Sequence, residues 1–364
     1  MRRLNAEFQQ TRTLTKRDYS CVSFIKREFY TEIKEPRIIN SRSDKFKAVI
    51  GPWIHLIEGY VYNEHYIKHC RPEEVYDRMQ RVAEGYDTFY ETDYSSFEGS
   101  FTQNYQKHVE LALFKHLLAN YPEIQRFIER AYCTNEVIHR KKYKATFEGS
   151  RLSGDMWTSL ANGFSNQMMM EWLLYKNKTG GNYLVEGDDG YIACNGVLNF
   201  DYITKLGFKL KVEAVHDHHH VHFCSLRAHN GLLVPDIRRT LSHFGKSCET
   251  KVSAMFKSAS KKSAREFKRY QVSKAYSLLA TGRGIPILQE LALAIINKTK
   301  ERLVTKYVDW WEREFFDLTH LEPVDITHDM RTYVEQEFGI PITTQTRLEE
   351  AIHCAQSFNF ILDI

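Results

Sequence analysis

The residues best suited to chemistry are Asp188 and Asp189, set in the stretch Tyr183-Leu184-Val185-Glu186-Gly187-Asp188-Asp189-Gly190-Tyr191-Ile192-Ala193-Cys194. Apolar and aromatic runs bounded by a short Gly/Asp cluster predict a β-hairpin with both carboxylates at its tip. Adjacent acids repel each other and do nothing for a fold. They make sense around a divalent cation shared with a third acid elsewhere. Mg²⁺ favours carboxylate oxygens and keeps several waters, so two or three acids suffice.

The best third acid is Asp93. Thr88-Phe89-Tyr90-Glu91-Thr92-Asp93 reads as a strand running into the turn Tyr94–Gly99, then an amphipathic helix over 100–119. Asp93 then sits at the carboxyl end of a strand, where sites in open sheets collect. Glu98 follows five residues later. A lone strand-end acid more often forms a turn or caps a helix, so the case for Asp93 depends on the Asp pair. Further on, Ser153-Gly154 lies in a Gly/Ser loop, and a helix is predicted from Met156 or Trp157 to Lys176. Thr158, Asn162 and Asn166 share one face of it. Asn is a poor helix-interior residue, and solvent faces favour Glu and Lys. The stripe therefore predicts a polar surface kept for a ligand.

Several elements must position these groups. Residues 24–42 read as short strands broken at Pro36, carrying the basic array Lys26, Arg27, Lys34, Arg37 and Arg42. An Arg fork matches phosphate oxygens, although an edge strand protected by charge is the plainer reading of this segment alone. Residues 45–85 read as helical, with Val49, Trp53, Leu56, Ile57 and Tyr60 at helical spacing and a break at Arg71-Pro72. After the hairpin, Asn199–Leu206 reads as a helix. Gly207–Glu213 reads as a strand that puts Lys209 and Lys211 on one face. The segment His216-Asp217-His218-His219-His220-Val221-His222 invites a zinc reading. It has no C-x-x-C or H-x₃-H framework, and a polar turn is predicted instead. From about residue 240 the pattern is helical, punctuated at Gly282–Pro286 and Gly339–Pro341.

With 364 residues, 43% hydrophobic and 26% charged, the chain can bury a sizeable core and is not disordered in composition. The net charge of +4 is unevenly spread. Residues 1–50 hold twelve Lys/Arg against six acids, and residues 251–283 hold nine against Glu266 alone. Residues 301–364 reverse the sign, with thirteen acids against five bases. Basic segments flanking an acidic pair suggest a polyanion partner; taken alone, 251–283 also fits a solvated helix face. Seven scattered cysteines without a C-x-x-C pair fit a reducing compartment. No apolar run nears the ~20 residues that span a bilayer, and no signal peptide is visible.

In this order, the segments resemble the RNA-directed RNA polymerases of positive-strand RNA viruses, most of all the tombusvirus- and nodavirus-like groups. Lys26…Lys34-x-x-Arg37 looks like the fingers motif that binds NTP phosphates. Asp93-x₄-Glu98, Ser153-Gly154-x₃-Thr158-x₃-Asn162 and Gly187-Asp188-Asp189 look like the first three palm motifs. Leu206–Lys211 and Phe223-Cys224-Ser225 look like the fourth and the primer grip. Gly-Asp-Asp alone is weak, whereas the ordered set is highly specific.

The resemblance implies an α+β right-hand polymerase with an antiparallel-sheet palm, partial fingers and a mostly helical thumb. Partial fingers would span 1–50, palm 51–120, a fingers insertion 121–150, palm 151–226 and thumb 227–364. It implies RNA synthesis from NTPs on an RNA template, with Mg²⁺, or Mn²⁺ in its place, held by Asp93, Asp188 and Asp189. Lys26, Arg27, Lys34 and Arg37 would hold the triphosphate. Glu98, Ser153, Thr158 and Asn162 would line the NTP and its ribose, and Lys209 or Lys211 would protonate pyrophosphate. Lys261, Lys262, Arg265, Lys268 and Arg269 would follow the RNA backbone. The expected setting is a membrane-associated replication complex in the host cytoplasm, alongside other viral replicase domains or proteins. The sequence departs from the commonest family pattern in having Glu, not Asp, at 98. The phosphate-binding segment also lies close to Met1, so the fingers are reduced, the chain is a fragment, or another chain or domain supplies the rest. A reverse transcriptase-like palm polymerase and an inactive RNA-binding palm fragment are the alternative readings.

Overall fold

The computed structural model describes residues 2–11, 13–28, 33, 35–139, 143–244, 252, 254–255 and 260–355. The chain separates into two compact units, one of residues 1–26 with 35–224, the other of 27–34 with 225–364. The fold is mixed α and β, with antiparallel pairing predominant.

The first unit holds two four-stranded sheets. In one, β1 (Cys21–Ile25) pairs antiparallel with β2 (Ile38–Ser41). The other contains β3 (Thr88–Tyr94), and its remaining strands come after the helix Thr158–Asn177. Between these, β4 (Thr134–His139) and β5 (Tyr143–Glu148) complete the first sheet, in the order β2-β1-β4-β5. Its β1–β4 contact is parallel, the one exception to antiparallel pairing among the described strands. The second sheet is fully antiparallel. It adds β6 (Gly181–Glu186), β7 (Asp189–Cys194) and β8 (Leu210–Val215) to β3, in the order β6-β7-β3-β8.

Burial explains the second sheet. Tyr183, Leu184 and Val185 on β6 and Tyr191, Ile192, Ala193 and Cys194 on β7 are all buried. A strand covered on both faces reads as a continuous apolar run, as these do. The helix Thr158–Asn177 buries Met169, Met170, Leu173 and Leu174 in the same core. At the sheet edge, the backbone N–H of Val185 donates to the His65 carbonyl at 2.8 Å, and the His65 and Tyr183 rings stack 4.3 Å apart.

Several local expectations are corrected. The helix Asp44–Val61, capped by the Ser43 hydroxyl, buries Val49, Ile50, Ile54, Ile57 and Val61, while Leu56 and Tyr60 are exposed. The buried stripe is thus rotated from the one the apolar spacing suggested. The expected helix over 100–119 is divided into Phe97–Ser100, Gln103–His108 and Glu110–Leu117. Thr102 accepts from the Tyr105 N–H and starts a new helix inside the predicted one. The helix expected over 199–206 is a single turn, Asp201–Thr204.

The second unit opens with β9 (Leu226–His229) and β10 (Leu232–Pro235), an antiparallel pair. Helices follow at Ile237–His243, Lys261–Gly282, Leu288–Thr299, Trp310–Phe315, His328–Phe338 and Ile342–Cys354. Their core includes Leu279, Leu288, Ile295, Val334 and Ile340. Glu349 ties three of them together by accepting from the Ile287 backbone N–H and from Arg331, each at 2.9 Å. Among the described residues no helix is long and apolar enough to cross a membrane.

Candidate active site

The hairpin between β6 and β7 has Glu186 opposite Asp189, so its loop is only Gly187-Asp188. Gly187 has φ +61°. A two-residue hairpin turn with positive φ at its first position favours glycine there. The expectation of two carboxylates at the tip is corrected: Asp188 is in the loop, and Asp189 is the first ladder residue of β7. A one-residue difference along extended backbone sends their side chains different ways.

Gly190 has another reason to be glycine. It pairs with Thr92 on β3, and a Cβ there would stand 2.3 Å from Thr92 Oγ1. One step along the same register brings Asp93 beside Asp189. Asp93 is also opposite Lys211 on β8, and Lys211 Nζ lies 3.3 Å from Asp93 Oδ2. Lys209 precedes β8 and offers its backbone carbonyl to the Ser95 N–H at 2.9 Å. That bond continues the β3–β8 ladder one rung beyond Leu210, in keeping with the shared face expected of Lys209 and Lys211; of the two, Lys211 is the one that pairs with Asp93.

The turn after β3 is fixed by aromatic packing. Tyr94 and Phe97 stack 4.3 Å apart, and Phe208 packs against Tyr94, Phe97, Phe101 and Tyr105. Ser96 takes a left-handed conformation, φ +55°, which reverses the chain. Glu98 is thereby held within hydrogen-bond reach of Asn162, whose Nδ2 donates to Glu98 Oε1 at 3.4 Å.

Electrostatics link the acids. Asp188 is open to solvent yet ringed by enough protein to push its carboxyl above the usual range. The charges of Glu98 and Asp93 add to this rise, while its own backbone N–H and Arg37 oppose it. Burial and the Asp188 charge push Asp189 up to about 6. Asp93 and Glu186 add to that, and a hydrogen bond from Cys224 pulls it down. Burial and Asp189 hold the Cys224 thiol far above its usual value, so it stays a proton donor. Crowded carboxylates that raise one another's pKa suit a cation-binding function. Asp93, Asp188 and Asp189 are the residues that would hold a divalent ion. They do not converge tightly: among the described residues only Asp217, His218 and His219 put three donor atoms within 4.8 Å of one another. That group is the expected polar turn, a 3₁₀ turn over His218–His220 in which Asp217 accepts from the His219 N–H.

The polar stripe on the long helix is corrected from surface to interior. Asn162 and Asn166 are buried. Asn166 Nδ2 donates to the carbonyls of Gly187 at 3.2 Å and Asp189 at 2.9 Å, and its Oδ1 accepts from the Tyr94 hydroxyl. Thr158 turns its hydroxyl back to the Leu152 carbonyl at 3.2 Å. Ser153 is anchored through its carbonyl, which accepts from the Asn40 N–H at 2.7 Å. Beneath this loop, buried Arg42 pairs with Asp155 and also donates to the carbonyls of Tyr19 (2.6 Å) and Ala131 (3.1 Å). The loop therefore rests on the first sheet.

The basic residues are less tightly grouped. Arg37 acts on Asp188, and its carbonyl accepts from the Lys26 N–H at 2.8 Å. Arg27 belongs to the other unit, and Lys34 lies outside the described residues. In the second unit the helix Lys261–Gly282 carries Lys261, Lys262, Arg265, Lys268 and Arg269. Arg265 and Arg269 lie 3.1 and 3.3 Å from Glu301, so part of that basic stretch is paired within the protein. Sequence reasoning missed Glu110, Arg151, Asn166 as a turn clamp, and the hydrogen bond by which Cys224, expected in the primer grip, reaches Asp189. The only signal was the place of Arg151, two residues before Ser153.

A family model described as viral RNA-dependent RNA polymerase matches residues 108–357. The chain belongs to that family. The match includes the Ser153 loop, the Asp188–Asp189 hairpin and the helical unit, and starts after Asp93 and Glu98. Similar proteins include the RNA-directed RNA polymerase of Greasy grouper nervous necrosis virus, 27% identical over 206 residues. The RNA-directed RNA polymerase of Atlantic halibut nervous necrosis virus is 26% identical over 202 residues. Each alignment covers 52% of this chain and 20% of the relative, so the chain spans about a fifth of the length of the curated relatives it matches.

Proposed function

We propose that this chain catalyses RNA-directed RNA synthesis, joining NTPs in the 5′-to-3′ direction with release of pyrophosphate. The observation that carries the reading is the electrostatic coupling of Asp93, Asp188 and Asp189 at a turn held by the buried Asn166. In this reading the β6-β7-β3-β8 sheet is a palm, the β2-β1-β4-β5 sheet is part of the fingers, and the helical unit is a thumb that follows the RNA backbone.

The three carboxylates would hold Mg²⁺ or Mn²⁺. Such ions, when bound, would stabilise the charge that develops on the attacking and leaving oxygens of an in-line displacement. The chain's own groups do the rest. Lys26 and Arg37 orient the triphosphate, with Arg27 and Lys34 as further candidates. Glu98, Ser153 and Asn162 face the ribose, where the 2′-hydroxyl separates RNA from DNA precursors. The 3′-hydroxyl gives its proton to solvent water as its oxygen bonds to the α-phosphorus and the bond to pyrophosphate breaks, and a lysine supplies a proton to the leaving group. Lys211, beside Asp93, is better placed for this than Lys209. Free thiols at Cys21, Cys70, Cys133, Cys194, Cys224 and Cys354 fit the reducing host cytoplasm, where we place the reaction, at replication membranes with other replicase components.

Primer extension on an RNA template, with Mg²⁺ or Mn²⁺, tests the reading. Asp188→Ala and Asp189→Ala should each abolish synthesis. Synthesis retained in both variants refutes the assignment. A strong preference for dNTPs favours a reverse transcriptase-like polymerase, and RNA binding without synthesis favours an inactive palm.

A further inference from the structure

Behind Asn162 lies a buried chain of polar groups that the reaction as described does not use. Glu110 is fully buried, and Arg151 is 5% exposed. Arg151 Nη2 pairs with Glu110 Oε1, and the Ser165 hydroxyl donates to the same oxygen at 2.7 Å. Arg151 Nη1 donates to Asn162 Oδ1 at 2.7 Å. The guanidinium lies over the Phe101 ring, 4.3 Å from its centroid. Glu110, Arg151 and the helix bearing Asn162 come from three separate parts of the chain.

The donor inventory decides what this does. A guanidinium only donates. The oxygen of the Asn162 amide must therefore face Arg151, and its NH₂ must face Glu98, as found at 3.4 Å. Were the amide reversed, its oxygen would meet the Glu98 carboxylate, acceptor against acceptor. A buried ion pair contributes little net stability compared with a well-packed apolar pair, so stability alone does not account for it. What the pair does impose is one orientation of one amide.

We propose that Arg151, braced by Glu110 and Ser165, is the positioning residue for ribose selection. It fixes the Asn162 amide so that Asn162 holds Glu98, leaving the Glu98 carboxylate set to accept from a ribose 2′-hydroxyl. This inference rests on the polymerase reading above. Arg151 touches no reacting atom and acts only through Asn162.

The test compares kcat/KM for rNTP and the matching dNTP in the full chain and in the double variant Arg151→Met with Glu110→Met, which removes both charges together. A charge-assisted hydrogen bond sets the scale. The expected result is a fall of about tenfold in discrimination, carried mainly by a gain with dNTP, with rNTP turnover kept within a few-fold. If that variant does not fold, Arg151→Lys is read instead. One nitrogen can keep Glu110 but cannot hold Asn162 in the same fork, and the same loss of discrimination is expected. An unchanged rNTP/dNTP ratio in a folded, active variant overturns the inference alone. No template-dependent incorporation by the unaltered chain overturns the polymerase reading and this inference with it.

Discussion

Asn166 Nδ2 donates to the carbonyl of Asp189 at 2.9 Å, so a helix residue fixes the backbone that carries a candidate metal acid. The same amide reaches Gly187. Both ends of the two-residue turn are therefore held from one buried point. Removing one partner of a buried hydrogen bond costs about 1–3 kcal/mol. Asn166→Ala should lower unfolding stability by about 2–3 kcal/mol and synthesis by tenfold or more. Asn166→Asp should be worse, since it sets a carboxylate against two carbonyls. Urea unfolding and primer extension on the same preparations check both.

Gly190 and Thr92 should behave as a coupled pair. Gly190→Ala places a methyl 2.3 Å from Thr92 Oγ1, and overpacking of this kind costs about 1–3 kcal/mol. Thr92→Ala removes the obstructing oxygen, and among the described residues Thr92 Oγ1 has no hydrogen-bond partner to lose. The double variant should recover most of the stability that Gly190→Ala loses. Strict additivity in a double-mutant cycle would rule out this account of the glycine.

The raised Asp189 carboxyl predicts a pH dependence with a definite sign. Its value in the folded chain is about 6, against an ordinary 3.8. Folding favours the protonated form, so the group's stabilising contribution is fully present below pH ~3.8 and is lost as pH rises through ~6. At pH 7 and without divalent ions, Asp189→Asn should melt a degree or more above the parent, although it makes no RNA. At pH 4 the two should melt together. Mg²⁺ or Mn²⁺ should raise the melting temperature of the parent more than that of the variant.

Lys211 and Lys209 should separate clearly. Lys211 pairs with Asp93, while Lys209 bonds Ser95 through its backbone carbonyl. General acid catalysis contributes about 10²–10⁴-fold. Lys211→Met should lower kcat for primer extension at least a hundredfold. Lys209→Met should cost less than tenfold in the same assay. The reverse pattern would move the proton donor to Lys209.

The sequence disclosed the acids because their chemistry is local. Gly187-Asp188-Asp189-Gly190 predicts its own hairpin, and Asp93 announces itself as the end of an alternating run. The helix from 158 was legible from its periodicity. Its polar stripe was legible too, but not that it faces inward, because the partners of Asn162 and Asn166 are distant in the chain. Glu110 and Arg151 were invisible for the same reason: a charged residue in a helical or loop pattern reads as solvent-facing until its partner is placed. The buried face of 44–61 was misjudged where apolar residues occur nearly all round the helix, so that tertiary packing alone chooses among them.

The pairing of Arg42 with Asp155 has a consequence for the order of assembly. These residues are 113 positions apart, and strand β1 gains its parallel neighbour β4 only from residues 137–139. A growing chain presents Arg42 long before its acceptor exists. Contacts of such sequence separation form late, because their loops must close first. The segment bearing Arg42 is therefore made well before Asp155 yet is among the last to lock, and the loop bearing Ser153 stays unset until it does.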